Sequence, residues 1–273
     1  MAEKIWFITG TSRGFGKVWA EAALERGDKV AATARDINSL NELSAKYGSS
    51  ILPLQLDVTD RQACFDAVKK AHEYFGRIDI VINNAGYGLF GTIEEVSEKE
   101  AREQIETNLF GALWITQAVI PIMREQKSGH ILPVSSIGGV AAFPVLGLYH
   151  ASKWALEAFS ESLSKETAGF GIKVTIIEPG GYATDWAGSS SKHSTPIDAY
   201  NEIKENLLKL FSEVPPGDPA ATAKAILKAV DAENPPLRLF LGRYVLDIAS
   251  QVYAERLKTW NEWKDTSAEA HGN

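Results

Sequence analysis

Hydrophobic residues fall along the chain in short, almost unbroken runs that alternate with longer stretches in which they recur at helical spacing. Runs of this kind, rich in Val, Ile and Leu, are typical of strands covered on both faces of a parallel sheet. They predict seven strands, at residues 4–9, 29–33, 51–56, 78–82, 129–134, 173–178 and 237–241. The intervening stretches predict helices at residues 14–26, 39–47, 61–75, 98–124, 149–169 and 219–231.

The regular alternation of strands and helices predicts one α/β domain over residues 1–273, built on a doubly wound parallel sheet. In such a sheet ligands bind at the carboxyl ends of the strands. One segment breaks the alternation: it begins with the run Gly188–Ser191 and continues as a helical stretch, so we interpret residues of about 186–213 as a substrate lid. A helical tail at about 244–265 carries Trp260 and Trp263, which suggests docking on the body or on a neighbouring subunit.

Composition narrows the class of protein. The net charge of −7 argues against nucleic acid and anionic membranes as partners, because both require a basic surface. The single cysteine, Cys64, excludes an internal disulfide and fits a reducing cytosol. Histidine and cysteine show no metal-ligand spacing, and no apolar run approaches the length of a membrane span. We therefore expect a soluble, cytoplasmic protein without a metal.

Three glycine patterns compete for the phosphate-binding role. Gly10-x-x-x-Gly14-x-Gly16 directly follows the first predicted strand and opens a helix, so its backbone N–H groups could approach a pyrophosphate. The same segment also fits the nucleophile elbow of a serine hydrolase, with Ser12 as nucleophile, but only one strand precedes it. Gly86-x-Gly88-x-x-Gly91 has the dinucleotide spacing, yet the next helix begins later, at an N-cap formed by Ser97 with Glu100.

Two Tyr-x-x-x-Lys matches occur, Tyr149 with Lys153 and Tyr200 with Lys204. On a helix each would place the lysine one turn from the tyrosine on the same face. Only Tyr149 follows the loop after a predicted strand and has a serine, Ser136, thirteen residues upstream. We therefore assign Tyr200 to the lid helix, with Lys204 as an ordinary solvated lysine.

Taken in order, these residues resemble the single-domain short-chain dehydrogenases/reductases. The matching motifs are Thr9-Gly10-x-x-x-Gly14-x-Gly16, Asp57-Val58-Thr59, Asn83-Asn84-Ala85-Gly86, Asn108, Ser136, Tyr149-x-x-x-Lys153 and Pro179-Gly180-x-x-x-Thr184. The resemblance implies a Rossmann-type sheet in the order 3-2-1-4-5-6-7, a homodimer or homotetramer, and hydride transfer between a nicotinamide and a carbonyl/alcohol pair.

The resemblance also carries roles to the matching positions. It implies the catalytic residues Asn108, Ser136, Tyr149 and Lys153, with Asn108 holding a water that relays protons to Lys153. Asp57 would bind the adenine, Asn84 would shape the strand end and Thr184 would contact the carboxamide. The expected cofactor-binding residues are Gly10, Ser12, Arg13, Gly14, Phe15, Gly16, Arg35, Asp57, Val58, Asn84, Ala85, Gly86, Tyr149, Lys153, Pro179, Gly180 and Thr184.

The chemistry of carbonyl reduction favours the same assignment of Tyr149. Reducing a ketone requires a positioned acid, and an unperturbed tyrosine near pKa 10 is a poor base at neutral pH. A cation ~5 Å away at an effective dielectric of ~20 would favour the phenolate by about 3 kcal/mol, roughly two pKa units. Lys153 has that reach, and Ser136 could orient the carbonyl group. His150 points off this face and is assigned no role.

The end of the second strand predicts NADP(H) rather than NAD(H). An NAD enzyme places a carboxylate there to bind the ribose 2′-hydroxyl, whereas this chain has Ala34 followed by Arg35. Arg13 supplies a second cation, and Asp36 is expected to point away in the following turn.

Two further expectations concern local structure and substrate. Pro133 falls in a central strand, where we expect it to remove one ladder hydrogen bond. The aromatic and aliphatic residues Trp186, Phe211, Phe143 and Leu146 predict a fairly hydrophobic small-molecule substrate. A dinucleotide-sensing protein without turnover and an NAD(P)-dependent epimerase or dehydratase remain as alternatives.

Overall fold

A computed structural model describes residues 3–272. Its centre is a six-stranded parallel sheet in the order β3-β2-β1-β4-β6-β7, flanked by a parallel pair formed by β8 and β10. The strands are β1 Ile5–Ile8, β2 Lys29–Ala34, β3 Ile51–Gln55, β4 Ile80–Asn83, β5 Leu89–Phe90, β6 Gly129–Pro133, β7 Ile172–Val174, β8 Ile176–Pro179, β9 Lys192–His193 and β10 Arg238–Leu241. The predicted doubly wound α/β fold is confirmed.

Helices cover both faces of this sheet, because alternate residues of each strand point to opposite sides. In β1, Trp6 and Ile8 pack into one core and Phe7 into the other. Trp19 of α1 belongs to the first core and Ile115 of α5 to the second. The helices are α1 Gly14–Glu25, α2 Asn41–Tyr47, α3 Arg61–Phe75, α4 Glu98–Ile105, α5 Gly111–Gln126, α6 Gly147–Thr167, α7 Asn201–Glu213, α8 Ala223–Asp231, α9 Val245–Glu262 and α10 Lys264–Glu269.

Pro133 explains why the predicted sixth strand is divided into β7 and β8. The neighbouring backbone bonds run from Thr175 N to the Ile131 carbonyl and from Ser135 N to the Ile177 carbonyl, both at regular spacing. The N–H of residue 133 would face the carbonyl of Thr175, but proline has no N–H to donate. The strand beside β6 is interrupted at Thr175, which separates β7 from β8. The loss of a ladder hydrogen bond that was expected from Pro133 therefore breaks this neighbouring strand.

The helix predicted at 98–124 is not continuous. A π-helical turn, Glu106–Phe110, separates α4 from α5 and contains Asn108. Such turns widen the helix by one residue and often occur at functional sites.

The tail does form the predicted helix, α9, but its tryptophans do not dock on the body. Trp260 and Trp263 are 60% and 62% exposed, which leaves docking on a neighbouring subunit as the untested part of the expectation. Among the helices within residues 3–272, none is long and apolar enough to cross a membrane.

Candidate active site

The loop between β1 and α1 has a shape that only glycine permits at two positions. Gly10 adopts φ +70°, and a Cβ on Gly16 would lie 2.3 Å from the Gly10 carbonyl oxygen. Asn84 fixes the loop from the end of β4, since its Nδ2 donates to the carbonyls of Thr9 and Gly10 at 2.9 and 3.0 Å. The loop is therefore held tightly against the neighbouring strand end, with Ala85 at its back.

This loop leads into α1, whose first N–H groups receive no hydrogen bond from a capping side chain. The N-cap of α1 is Arg13, whose side chain makes no capping hydrogen bond, and the first turn contains no acidic residue. The first N–H groups of a helix have no partner within it, and the helix dipole adds partial positive charge there. The end of α1 therefore fits an anionic group such as a pyrophosphate.

Arg13 and Arg35, the two cations expected beside this site, have different surroundings. Arg35 is exposed after β2, and within residues 3–272 its side chain forms no ion pair. Arg13 instead forms an ion pair with Asp185 at 2.6 Å, a contact that no local sequence pattern indicates. Asp36 caps the turn after β2 by accepting from Asn38, in agreement with its expected orientation.

Other expected cofactor contacts line the same edge of the sheet. Asp57 is exposed after β3, and its Oδ1 accepts from the N–H and hydroxyl of Thr59. The next residue, Val58, packs against Gly111. Thr184 lies beside Gly14, with its Cβ 3.8 Å from the position of a Gly14 Cβ. The remaining expected residues surround these. Gly86 and Gly180 lie on loops, Pro179 ends β8, and Ser12 and Phe15 lie on the turn entering α1.

Tyr149 lies in the first turn of α6, only 5% exposed. Burial raises the pKa of its phenol to about 12, and the neighbouring Ser136 hydroxyl works in the opposite direction. Ser136 is fixed on its loop because its Oγ accepts from Gly138 N at 3.0 Å. The phenol is thus a protonated group beside a second hydroxyl.

Lys153 follows one turn later on the same helix and is 6% exposed. Burial lowers its pKa to about 8, against the opposing effect of Glu157. Its Nζ lies 5.8 Å from the centre of the Tyr149 ring and donates to the Val134 carbonyl at 2.7 Å. The pKa of Tyr149 is therefore raised and not lowered as expected, because the cost of burying a phenolate is larger.

Asn108 reaches this site from the π turn. Its amide donates to the Tyr87 carbonyl and to Ser152 Oγ, and its Oδ1 accepts from Tyr87 N, each at 3.1 Å. A Cβ on Gly86 would lie 3.0 Å from Asn108 Oδ1 and 3.7 Å from Lys153 Nζ. The structure thus brings all four expected catalytic residues to one edge of the sheet.

Known proteins share both sequence and fold with this chain. The model of the short chain dehydrogenase family matches residues 4–195. Oxidoreductase BOA17 of Botryotinia fuckeliana is 46% identical, over 97% of this chain and 98% of that protein. The chain belongs to the short-chain dehydrogenase/reductase family.

Solved structures agree with this assignment. A short-chain dehydrogenase from Streptomyces avermitilis superposes with a TM-score of 0.92 at 38% identity, covering 98% of this chain and 99% of that one. An alcohol dehydrogenase from the archaeon Thermococcus sibiricus, complexed with 5-hydroxy-NADP, gives a TM-score of 0.75 at 28% identity, with 88% and 96% covered.

In this chain the ring of Trp186 covers Tyr149. Its centre lies 5.0 Å from that of Tyr149 and 5.4 Å from that of Phe90. Its indole Nε1 is buried without a hydrogen-bond partner among the described residues. An unpaired buried donor beside the phenol of Tyr149 leaves a polar group available to a ligand.

His150, to which the sequence analysis assigned no role, supports the loop before Tyr149. Its Nδ1 lies 3.0 Å from the Gly138 carbonyl, and its Nε2 accepts from Phe143 N at 3.0 Å. In the same loop, two residues after Phe143, Val145 adopts φ +69°, a conformation that β-branched residues rarely accept. No sequence signal marks either feature, because both depend on how the loop folds back on α6.

A cavity of about 300 Å³ lies between this loop and the lid helix, lined by Pro144, Ile203, Asn206 and Leu207. A larger cavity of about 480 Å³ lies between α3 and α5 and contains none of the expected site residues. The smaller cavity likewise contains none of them, but it lies beside the loop that precedes Tyr149.

The second Tyr-x-x-x-Lys match lies outside the site, as expected. Tyr200 donates to Glu94, and Lys204 forms an ion pair with Glu95. Glu95 also accepts from Ile197 N at 2.6 Å, so it fastens the lid segment to the body. The interpretation of Lys204 as a solvated lysine was therefore wrong.

Proposed function

We propose that this protein is an NADP(H)-dependent oxidoreductase that interconverts a carbonyl group and an alcohol, with Tyr149 as general acid and base. The observation that carries the proposal is the placement of Tyr149 and Ser136 beside Lys153, at the sheet edge that also presents the open N-terminus of α1. The named relative bound to 5-hydroxy-NADP is an alcohol dehydrogenase, which supports the same chemistry.

In the direction of reduction, the phenol of Tyr149 donates its proton to the carbonyl oxygen. Burial keeps that phenol protonated at neutral pH, because it raises the pKa to about 12. The Ser136 hydroxyl hydrogen-bonds the same oxygen and fixes its direction. A bound NADPH would supply the hydride.

Lys153 stabilises the phenolate that remains after proton transfer. Its ammonium group is one turn away and buried, so the attraction is weakly screened. Both N–H donors of the Asn108 side chain are used by Tyr87 and Ser152, and its Oδ1 accepts from Tyr87 N. We therefore assign the side chain to holding the loop at Gly86 in place. A proton-relaying water would bind at the second acceptor position of Oδ1.

The substrate class follows from the walls of the 300 Å³ cavity. Ile203 and Leu207 of the lid helix face Pro144, with one polar side chain, Asn206. Near Tyr149, the ring of Trp186 packs against the tyrosine and that of Phe143 packs against His150. These contacts favour a fairly hydrophobic ketone or aldehyde.

The first experiment is NADPH oxidation, followed by absorbance, against a panel of ketones, aldehydes and steroids. Turnover of at least one hydrophobic carbonyl compound is expected. A protein that binds NADPH but consumes it with no member of the panel would favour the sensing alternative.

We predict a preference for NADPH over NADH of about 100-fold, since two charge-assisted hydrogen bonds at roughly 1.5 kcal/mol each would bind the 2′-phosphate. Arg35→Ala should reduce this preference by about tenfold, measured by titration of both cofactors. Lys17→Ala is the matched control, because Lys17 is a nearby cation already paired with Glu42. Equal affinity for the two cofactors in the unmodified protein would contradict the prediction.

A further inference from the structure

A second group of titratable side chains lies directly behind Lys153. Glu157 follows it by one turn on α6 and is 6% exposed, and Glu178 of β8 is completely buried. Residues four apart on a helix share a face, so Glu157 lies on the face that carries Lys153. Carboxylates are almost never buried in this way unless a partner satisfies them.

The carboxyl groups of Glu157 and Glu178 meet at one guanidinium group, since Arg238 Nε lies within 4 Å of an oxygen of each. Three of their four oxygens find no N–H or O–H donor among the described residues: Oε1 of Glu157 and both oxygens of Glu178. The Ser135 hydroxyl, also without a partner, lies beside Glu157: a Cβ on Gly139 would be 2.5 Å from Ser135 Oγ and 3.1 Å from Glu157 Oε1. A proton on one carboxyl group would turn this pair of acceptors into a donor and an acceptor.

Arg238 of β10 closes the outer side of the pair. Its Nε lies 3.2 Å from Glu157 and 3.6 Å from Glu178, and its NH2 lies 2.9 Å from Glu161 at the surface. On the inner side the charged group is Lys153. The neighbouring strands β6 and β7 contribute two more titratable residues, His130 and Lys173. His130 hydrogen-bonds to Thr175, and Lys173 donates to the carbonyls of Ala232 and Glu233.

Two adjacent buried carboxyl groups cannot both ionise without a large desolvation and repulsion cost. Burial raises the pKa of Glu178 to about 9, and the charge on Glu157 adds to that effect. Burial also raises the pKa of Glu157, but Ser135, Glu178 and Arg238 oppose it. At neutral pH the proton therefore belongs on Glu178 and the negative charge on Glu157.

We propose that Glu157 and Glu178 share one proton, and that the remaining negative charge on Glu157 keeps Lys153 protonated. Glu157 is then a positioning residue that acts on the reaction through Lys153, and Glu178 stores the proton that allows a single charge to be buried there. The catalytic consequence rests on the function proposed above, whereas the shared proton does not.

Three glutamate variants on two elements separate the roles. Glu157→Gln removes the charge that faces Lys153, and Glu178→Gln imitates the protonated form by keeping a donor towards Glu157. Glu161→Gln is the matched control, because Glu161 lies one turn further along α6 and contacts Arg238 at the surface only. Each substitution is close to isosteric, so the folded state should survive.

The pKa of Lys153 is measured directly by NMR of ¹³C-labelled lysine in the ligand-free protein, with Lys153→Arg assigning the signal. Glu157→Gln should lower that pKa by about one unit, since loss of an opposite buried charge favours the neutral amine. Glu178→Gln and Glu161→Gln should leave it within about 0.3 units. An unchanged Lys153 pKa in Glu157→Gln would overturn the proposal, as would an equal fall in Glu178→Gln.

Infrared spectroscopy of the unmodified protein tests the proton itself. A protonated buried carboxyl band should be present at pH 7, absent in Glu178→Gln and unchanged in Glu161→Gln. Absence of the band in the unmodified protein would overturn the shared proton even if Glu157→Gln failed to fold.

These readouts need no turnover, so they fail separately from the proposed function. With an active protein, the high-pH loss of kcat/KM should move down by about one unit in Glu157→Gln, and Glu157→Asp should restore part of it. Expected NMR and infrared results with no reducible carbonyl would disprove the proposed function and leave the shared proton standing.

Discussion

The two Tyr-x-x-x-Lys pairs of this chain have the same spacing and opposite surroundings. Tyr149 and Lys153 lie on one helix, both nearly buried, and the lysine donates to the backbone carbonyl of Val134. Tyr200 ends a short 3₁₀ turn before α7, and its hydroxyl donates to Glu94, whereas Lys204 is paired with Glu95. The spacing alone therefore does not define a catalytic pair.

The difference shows which property matters. Hydrogen bonding to Glu94 raises the pKa of Tyr200, so its proton is already committed to a carboxylate. Burial works to raise the pKa of Glu95, but hydrogen bonds from Lys204, Ile197 and Thr92 outweigh it and lower the pKa to about 2. In the second pair both polar groups are spent on holding the lid segment, and in the first both remain available to a ligand.

Removing each phenol should give the largest contrast. Tyr149→Phe should lower kcat by about 10²–10⁴-fold, because general acid catalysis contributes that much and no other phenol is placed to replace it. Binding of NADPH should survive better, since the glycine-rich loop is untouched. Tyr200→Phe should change kcat by less than about twofold. Both are measured as steady-state kcat and KM with a carbonyl compound found in the panel.

An inactive Tyr200→Phe beside a normal Tyr149→Phe would place the active site in the lid and end the comparison.

Replacing the two lysines should change different kinetic constants, and by different amounts. Lys153→Met should lower kcat by about 10–100-fold, the equivalent of up to roughly 3 kcal/mol of lost phenolate stabilisation. It should also weaken NADPH binding, because the resemblance places the family's lysine on the nicotinamide ribose. Lys204→Met should raise the KM for the carbonyl substrate several-fold with little change in kcat, since Glu95 would lose the cation that fastens the lid.

Glu95→Gln serves as the partner control for Lys204→Met. If the ion pair acts only through the lid, the two variants and their combination should have similar KM values. A loss of kcat in Lys204→Met would instead assign this lysine to the chemistry.

Only some of the features that distinguish the two Tyr-x-x-x-Lys pairs could be predicted from the sequence. The strand core was predictable because β1 and its neighbours are continuous apolar runs, and the order of motifs identified Tyr149 over Tyr200. The π turn at Asn108 was not predictable, because a widened turn needs the same residues as an ordinary helix. The Arg13–Asp185 and Glu157–Glu178 contacts join segments far apart in the chain, so no local pattern indicates them.

A pH titration should separate the roles of the two lysines. At high pH, kcat/KM should fall by about tenfold per pH unit as the lysine that takes part in the reaction loses its charge. The folded-state pKa of Lys153 is lowered to about 8 by burial, so its charge is present below that pH and is lost as the pH rises through it. Tyr149 stays protonated over the same range, because its pKa is about 12. The rate of carbonyl reduction, as kcat/KM, should therefore fall above about pH 8, and Lys153→Arg should move the fall to higher pH.

The same profile measured with Lys204→Met should be unchanged, because that lysine is already paired outside the site. A high-pH limit that moved in Lys204→Met and not in Lys153→Arg would reverse the assignment of the two lysines.

The smallest effect concerns the motion of the lid, which the second pair fastens to the body. Hydrogen exchange over residues of about 186–213 should slow when NADPH and a carbonyl compound bind together, by about 3–10-fold. The slowing should be strongest at 185–193, because Trp186 covers Tyr149 and would be ordered by a carbonyl compound bound there. It should be weaker near Ile197, whose N–H is already bonded to Glu95. Lys204→Met should raise exchange near 197–204 in the free protein, whereas the central strand β4 provides an unchanged reference. Equal exchange with and without ligands would show that this segment is a surface excursion and that the second pair fastens a part of the fold that does not move.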